Sequence, residues 1–134
     1  MTKFSEAERD AMKNRAKELK AGKSADTEGE LLAKIETMPE ADRVIAARVH
    51  EVVKAASGDL MPKLWYGMPA YYLNGKMICF FQPASKFKAR YGMFGFSDAA
   101  NLDDGAMWAA YYAIAELNPD VEARITALVK QATS

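Results

Sequence analysis

Two singletons limit the chemistry open to this 134-residue chain: one cysteine, Cys79, and one histidine, His50. A lone cysteine cannot close an intramolecular disulfide or build a CxxC redox pair or a thiolate zinc site. Flanked by Ile78 and Phe80, it is predicted to be a small buried hydrophobe whose thiolate is disfavoured by desolvation. Any triad or two-histidine metal site would have to use His50. On a helical wheel His50 falls off the Ile45/Val49/Val52/Ala56 stripe, toward Arg43 and Lys54, which predicts a flanking or surface histidine. With no base paired to a nucleophile, the expectation is a protein without catalytic activity.

Other short motifs fail their own spacing tests. "AGKS" at 21–24 lacks the glycine that a phosphate-binding loop needs five residues before its Gly-Lys-Ser; Lys17 stands there. "NLDDG" at 101–105 puts glycine and the twelfth-position residue, Tyr112, out of step with a calcium loop, and is expected to be a turn. Glu6 and Asp10 are i,i+4 neighbours on a predicted helix, and Glu6 with Glu8 suits the positive end of its dipole. Lys86, Lys88 and Arg90 alternate in "ASKFKAR", which predicts one face of a strand, either defended by charge or facing an anionic ligand.

The densest group is aromatic. "LWYGMPAYYLNGKMICFF" (64–81) should place Met77, Cys79 and Phe81 on one face of a strand, with Ile78 and Phe80 on the other. Both faces are apolar, and a single helix layer covers only one. The second, to which Trp65, Tyr66, Tyr71, Tyr72 and Trp108 are expected to contribute, therefore needs the N-terminal segment, a partner or a ligand. A concave patch bordered by Trp65 or Trp108, with a lysine of the "KFK" segment near its rim, is the expected form.

The elements that must position these residues follow from period and punctuation. Ser5 and Glu8 form a capping box opening a helix that runs to Gly22, with a thin stripe of Met12, Ala16 and Leu19. "AGKSADTEG" reads as a linker. Leu31, Leu32, Ile35 and Met38 predict a short helix before Pro39, and a longer helix spans 40–57, stopped by Gly58. Asn74-Gly75 predicts a two-residue type I′ hairpin turn between Leu73 and Lys76. "FKARYGMFGF" (87–96) and "MWAAYYAI" (107–114) are predicted strands. Asn118 as N-cap with Pro119 after it opens a final helix buried through Val121, Ile125, Leu128 and Val129. The fold class is α+β: helices first, then a mostly antiparallel sheet with the helices packed on one face, then a closing helix.

Bulk composition is that of a globular domain, 50% hydrophobic and 27% charged, with 18 basic residues against 18 acidic. That balance gives no field for nucleic acid or an anionic membrane. No run reaches the ~20 apolar residues of a membrane span, and the charged N-terminal segment lacks the apolar centre of a signal peptide. A cytoplasmic location is expected.

The segments "WYGMPAY", the hairpin Gly-Lys, "KFK" and "LDDGAMW", followed by "ARITALVKQA", resemble the YdhG-like family of small bacterial domains. The likeness covers residues 38–132 and divides the chain into a helical extension, 1–37, and a YdhG-like α/β domain, 38–134. It implies a curved antiparallel sheet, no established catalysis and, as in the frataxin-like members, intracellular iron chaperoning; no iron-ligand motif maps onto this sequence.

Three functions are therefore carried forward. The first is a cytoplasmic binding protein handling labile iron on hard carboxylate ligands, with Glu6, Asp10, Asp103 and Asp104 as candidates. The second is a small-molecule or peptide-binding module using Trp65, Tyr66, Tyr72 and Trp108, with Lys86 and Lys88 at the rim. The third is an interaction domain that forms a homodimer through the aromatic face.

Overall fold

The structure, a computed structural model, describes residues 5–21 and 26–134, with the side chains of 16–21 excepted. The side chains of Ala16 and Leu19 in the predicted first-helix stripe, and Gly22 to Ser24 of the "AGKS" segment, lie outside what is described. Four helices and one sheet follow in the order α1 (Glu6–Ala21), α2 (Thr27–Glu36), α3 (Glu40–Ala56), β1 (Met61–Trp65), β2 (Met68–Leu73), β3 (Lys76–Gln82), β4 (Gly92–Phe96), β5 (Tyr111–Ile114) and α4 (Pro119–Ala132). The strands form an open antiparallel sheet in sequence order, β1-β2-β3-β4-β5. This is the expected α+β class. No helix among the described residues is long and apolar enough to cross a membrane.

Helix starts obey local chemistry. The Ser5 hydroxyl accepts from the Glu8 N–H at 3.1 Å, and the Asn118 side chain accepts from the Val121 N–H at 2.9 Å. The predicted linker is shorter than expected: Asp26 caps α2 by accepting from the Gly29 N–H at 2.9 Å, so helix begins at Thr27. Within the range assigned to the N-terminal extension, α2 buries Leu31 and Ile35 in the main core beside Val49 and Val53 of α3.

Two tight hairpins organise the sheet. Asn74 (φ 52°) and Gly75 (φ 81°) turn β2 into β3, with Leu73 opposite Lys76 as predicted. A second turn of the same kind, Tyr66 (φ 52°) and Gly67 (φ 78°), joins β1 to β2 without an Asn-Gly or Asp-Gly signal in its sequence.

The simple alternation predicted for β3 is corrected by a bulge. Tyr71 pairs with Cys79 and Tyr72 with Met77, leaving Ile78 as the extra residue. Ile78, Cys79 and Phe81 therefore all enter the main core, while Met77 and Phe80 lie on the opposite face. Tyr71, expected on the second face, is wholly buried in the main core instead, because it alternates with Ala70 and Tyr72 along β2.

Two predicted strands are also shortened. "KFK" is not a strand: Ala84–Phe87 form a single 3₁₀ turn after Pro83, and Lys88 is left-handed at φ 54°. Lys86, Lys88 and Arg90 therefore make no alternating row. β5 starts only at Tyr111, so Met107 and Trp108 lie in the irregular segment before it.

The main core lies between one sheet face and α2, α3 and α4. A second, smaller cluster, Met68, Ala70 and Phe80 with Trp65, Tyr66, Tyr72, Met77 and Met93 against it, occupies the other face. α1 contributes buried Ala11 and contacts β1 and the 3₁₀ turn, so it lies on this second side.

Candidate functional site

The second sheet face is aromatic because β1, β2 and β3 alternate in register. Trp65 pairs with Met68 and Ala70 with Phe80, which brings the Trp65 and Phe80 rings to 5.1 Å between centroids at 56°. The Tyr66 ring, carried on the hairpin turn, stands edge-on to Trp65 at 5.1 Å and 88°. Gly95 on β4 leaves the space Phe80 uses: a Cβ there would sit 2.7 Å from Phe80 Cε1 and 2.5 Å from Tyr111 Cδ1.

α1 does not close onto this face along its whole length. Between them is a pocket of about 340 Å³ lined by Ala11, Met12 and Glu8 of α1, by Trp65, Tyr66, Met68, Phe80 and Gln82 of the sheet side, and by Phe87 of the 3₁₀ turn. Its volume is at the lower end of small-molecule sites, and apolar and aromatic walls with few polar groups are usual for them. Among the described residues Glu8 is the one charged residue of the lining, and the Ser5 hydroxyl donates to it at 3.2 Å.

Phe87 is held by a contact through the buried carboxylate of α3. Asp42 accepts from the Ser85 backbone N–H at 3.2 Å and from the Ser85 hydroxyl, which fixes the 3₁₀ turn. Sequence alone offered no sign of this, because Asp42 in the first turn of a helix already has a sufficient role at the dipole.

The predicted site residues fall in different places. Trp65 and Tyr66 line the pocket. Tyr72 packs beside it on the same face under Lys63, whose ammonium lies 5.6 Å from the Tyr72 ring centroid. Lys86 stacks on Phe87 at 5.8 Å and lies close to Gly67, while Arg15 stacks on Tyr66 at 5.6 Å. Lys88 lies instead in a wider groove of about 680 Å³ with Glu6, Ala7, Arg9, Asp10 and Lys13, where charges of both signs meet solvent. Trp108 is exposed and does not line the aromatic pocket. Asp103 and Asp104 are exposed in the segment after β4. Among the described residues, no three Asp, Glu, His or Cys side chains group closely enough to hold a metal ion.

His50 is not at the surface, which corrects the helical-wheel reading. It is buried, with Nε2 2.9 Å from Glu28 Oε2 and Nδ1 3.0 Å from the Tyr71 hydroxyl. A carboxylate only accepts, so Nε2–H donates to Glu28. Glu28 also accepts from Lys54 at 2.6 Å; that hydrogen bond, then the one to His50, holds its carboxyl below the ordinary value of 4.5. Burial pushes the Tyr71 hydroxyl and the Cys79 thiol well up. The wheel failed here because α2 packs on the flank of α3 and brings Glu28 with it. This network lies in the main core, on the opposite side of the sheet from the pocket, and joins α2, α3 and β2.

Compared with known proteins, the chain matches no protein-family model, no curated protein and no solved structure.

Proposed function

We propose that this protein is a non-catalytic binding module whose ligand site is the aromatic pocket between α1 and the second face of the sheet. The observation that carries the reading is the lining itself: four aromatic rings and two methionines converge on one concavity, supplied by a rigid hairpin pair, a pinned 3₁₀ turn and a capped helix. The main core already has its own helices, so these rings are surplus to the packing that holds the sheet to α2, α3 and α4. A compact apolar group fits a pocket of about 340 Å³.

Iron handling of the frataxin-like kind, implied by resemblance to the YdhG-like family, has the weaker support. Glu6 and Asp10 share their groove with Arg9, Lys13 and Lys88, whose positive charges oppose a bound cation.

The test is a titration with 3,3-dimethyl-1-butanol, a compact apolar probe, read by Trp65 fluorescence in a Trp108→Phe background. Saturable change that is lost in Phe87→Ala supports the site. A change that survives Phe87→Ala, or none at millimolar probe, removes it.

A further inference from the structure

We infer, resting on the reading of the pocket as a ligand site, that its natural ligand presents a compact methylated ammonium group, with the ring faces of Trp65, Tyr66, Phe80 and Phe87 as walls and Glu8 as counter-charge. The rings do not stack flat on one another: Trp65 meets Tyr66 at 88° and Phe80 at 56°. Angled rings form the walls of a box, and each ring face is the negative side of its quadrupole. A cation within about 6 Å of such faces is attracted, and aromatic boxes suit quaternary ammonium groups best.

The polar inventory of the lining selects among cations. Among the described residues, every lining side chain apart from Glu8 and Gln82 is apolar or aromatic, so a metal ion or a bare ammonium would lose its hydration with little in return from them. A trimethylammonium group spreads its charge over methyls and needs no acceptor hydrogen bonds. Among the described residues the charged side chain of the lining is the acidic Glu8; it lies in the first turn of α1, held by the capping contact to Ser5. Two rings of the box already draw cations to themselves, Arg15 over Tyr66 and Lys86 over Phe87. Neither lines the pocket.

Choline, its neutral isostere 3,3-dimethyl-1-butanol and the anionic 3,3-dimethylbutyrate separate charge from shape. With the full chain carrying Trp108→Phe and at low salt, choline is expected to bind about three- to tenfold more tightly than the neutral isostere. Glu8→Gln, which keeps a residue suited to the capping box, should abolish that preference, so that the variant binds choline and the neutral isostere equally. Equal binding of choline and the isostere, or tighter binding of the carboxylate, overturns the ammonium assignment while the apolar-pocket reading stands. Absence of binding by all three probes overturns both.

Discussion

The buried carboxylate of Asp42 accepts two hydrogen bonds from Ser85, one from the backbone N–H at 3.2 Å and one from the hydroxyl. Asp42 belongs to α3, beneath one face of the sheet, and Ser85 to the 3₁₀ turn whose Phe87 lines the pocket on the other. The contact therefore couples a helix of the main core to a wall of the ligand site. Asp42→Ala should lower stability by about 1–3 kcal/mol, the cost of removing a charged acceptor from two donors. It should also weaken probe binding, because Phe87 loses its fixed position. Denaturant unfolding and the Trp65 titration on the same variant check both parts; unchanged affinity would mean that Phe87 is placed by other contacts.

Gly95 is required by packing on the second face. A methyl there would meet Tyr111 Cδ1 at 2.5 Å and Phe80 Cε1 and Cζ at 2.7 Å, closer than side-chain atoms approach. Gly95→Val is expected to cost about 1–3 kcal/mol by overpacking and to displace Phe80 from the pocket wall. Thermal unfolding compared with Gly58→Ala, a position with open space around it, isolates the steric term.

The Glu28 contacts predict a pH dependence with a definite sign. Its carboxyl is held below its ordinary 4.5 by Lys54 and His50, so the stability it contributes is present above the unfolded value and is lost as pH falls through the lowered folded one. The side chain is a third exposed, which keeps the Lys54 pair under about 1 kcal/mol. Glu28→Gln should therefore narrow the stability difference from the wild-type protein as pH drops from 6 toward 3. A difference that grows on acidification would contradict the assignment.

Cys79 should resist alkylation in the folded protein. It is wholly buried opposite Tyr71, and burial raises its thiol far above neutrality. Iodoacetamide labelling at neutral pH is expected only at the rate of unfolding, rising with denaturant; rapid labelling of native protein would place Cys79 at an accessible surface.

The sequence is a good guide wherever local chemistry decides. Asn74-Gly75, the caps at Ser5 and Asn118, and the stripe of α4 are recovered because each signal is complete within a few residues. The Tyr66-Gly67 turn was hidden because a left-handed tyrosine is uncommon and the residue type favours strand. Its strain is offset by ring contacts to Trp65 and Arg15 that only the fold supplies. The bulge at Ile78 was equally invisible, since alternation cannot reveal an extra residue in a run apolar on both sides. At the candidate site the aromatic stretch was legible as a surface in need of cover, but not Phe87, which sequence placed on a strand, nor Glu8, whose capping role accounted for it fully.

The central claim is that α1 and the aromatic sheet face together hold a ligand, and the eight methionines provide the most direct measurement. Methyl NMR of the ε-carbons, followed during a titration with 3,3-dimethyl-1-butanol, reads each of them separately. Met12 and Met68 line the pocket from its two sides and should shift together along one binding curve. Met38 in the main core and Met107, exposed before β5, should stay in place. Shifts confined to Met107, or stationary Met12 and Met68 at millimolar probe, would contradict the account.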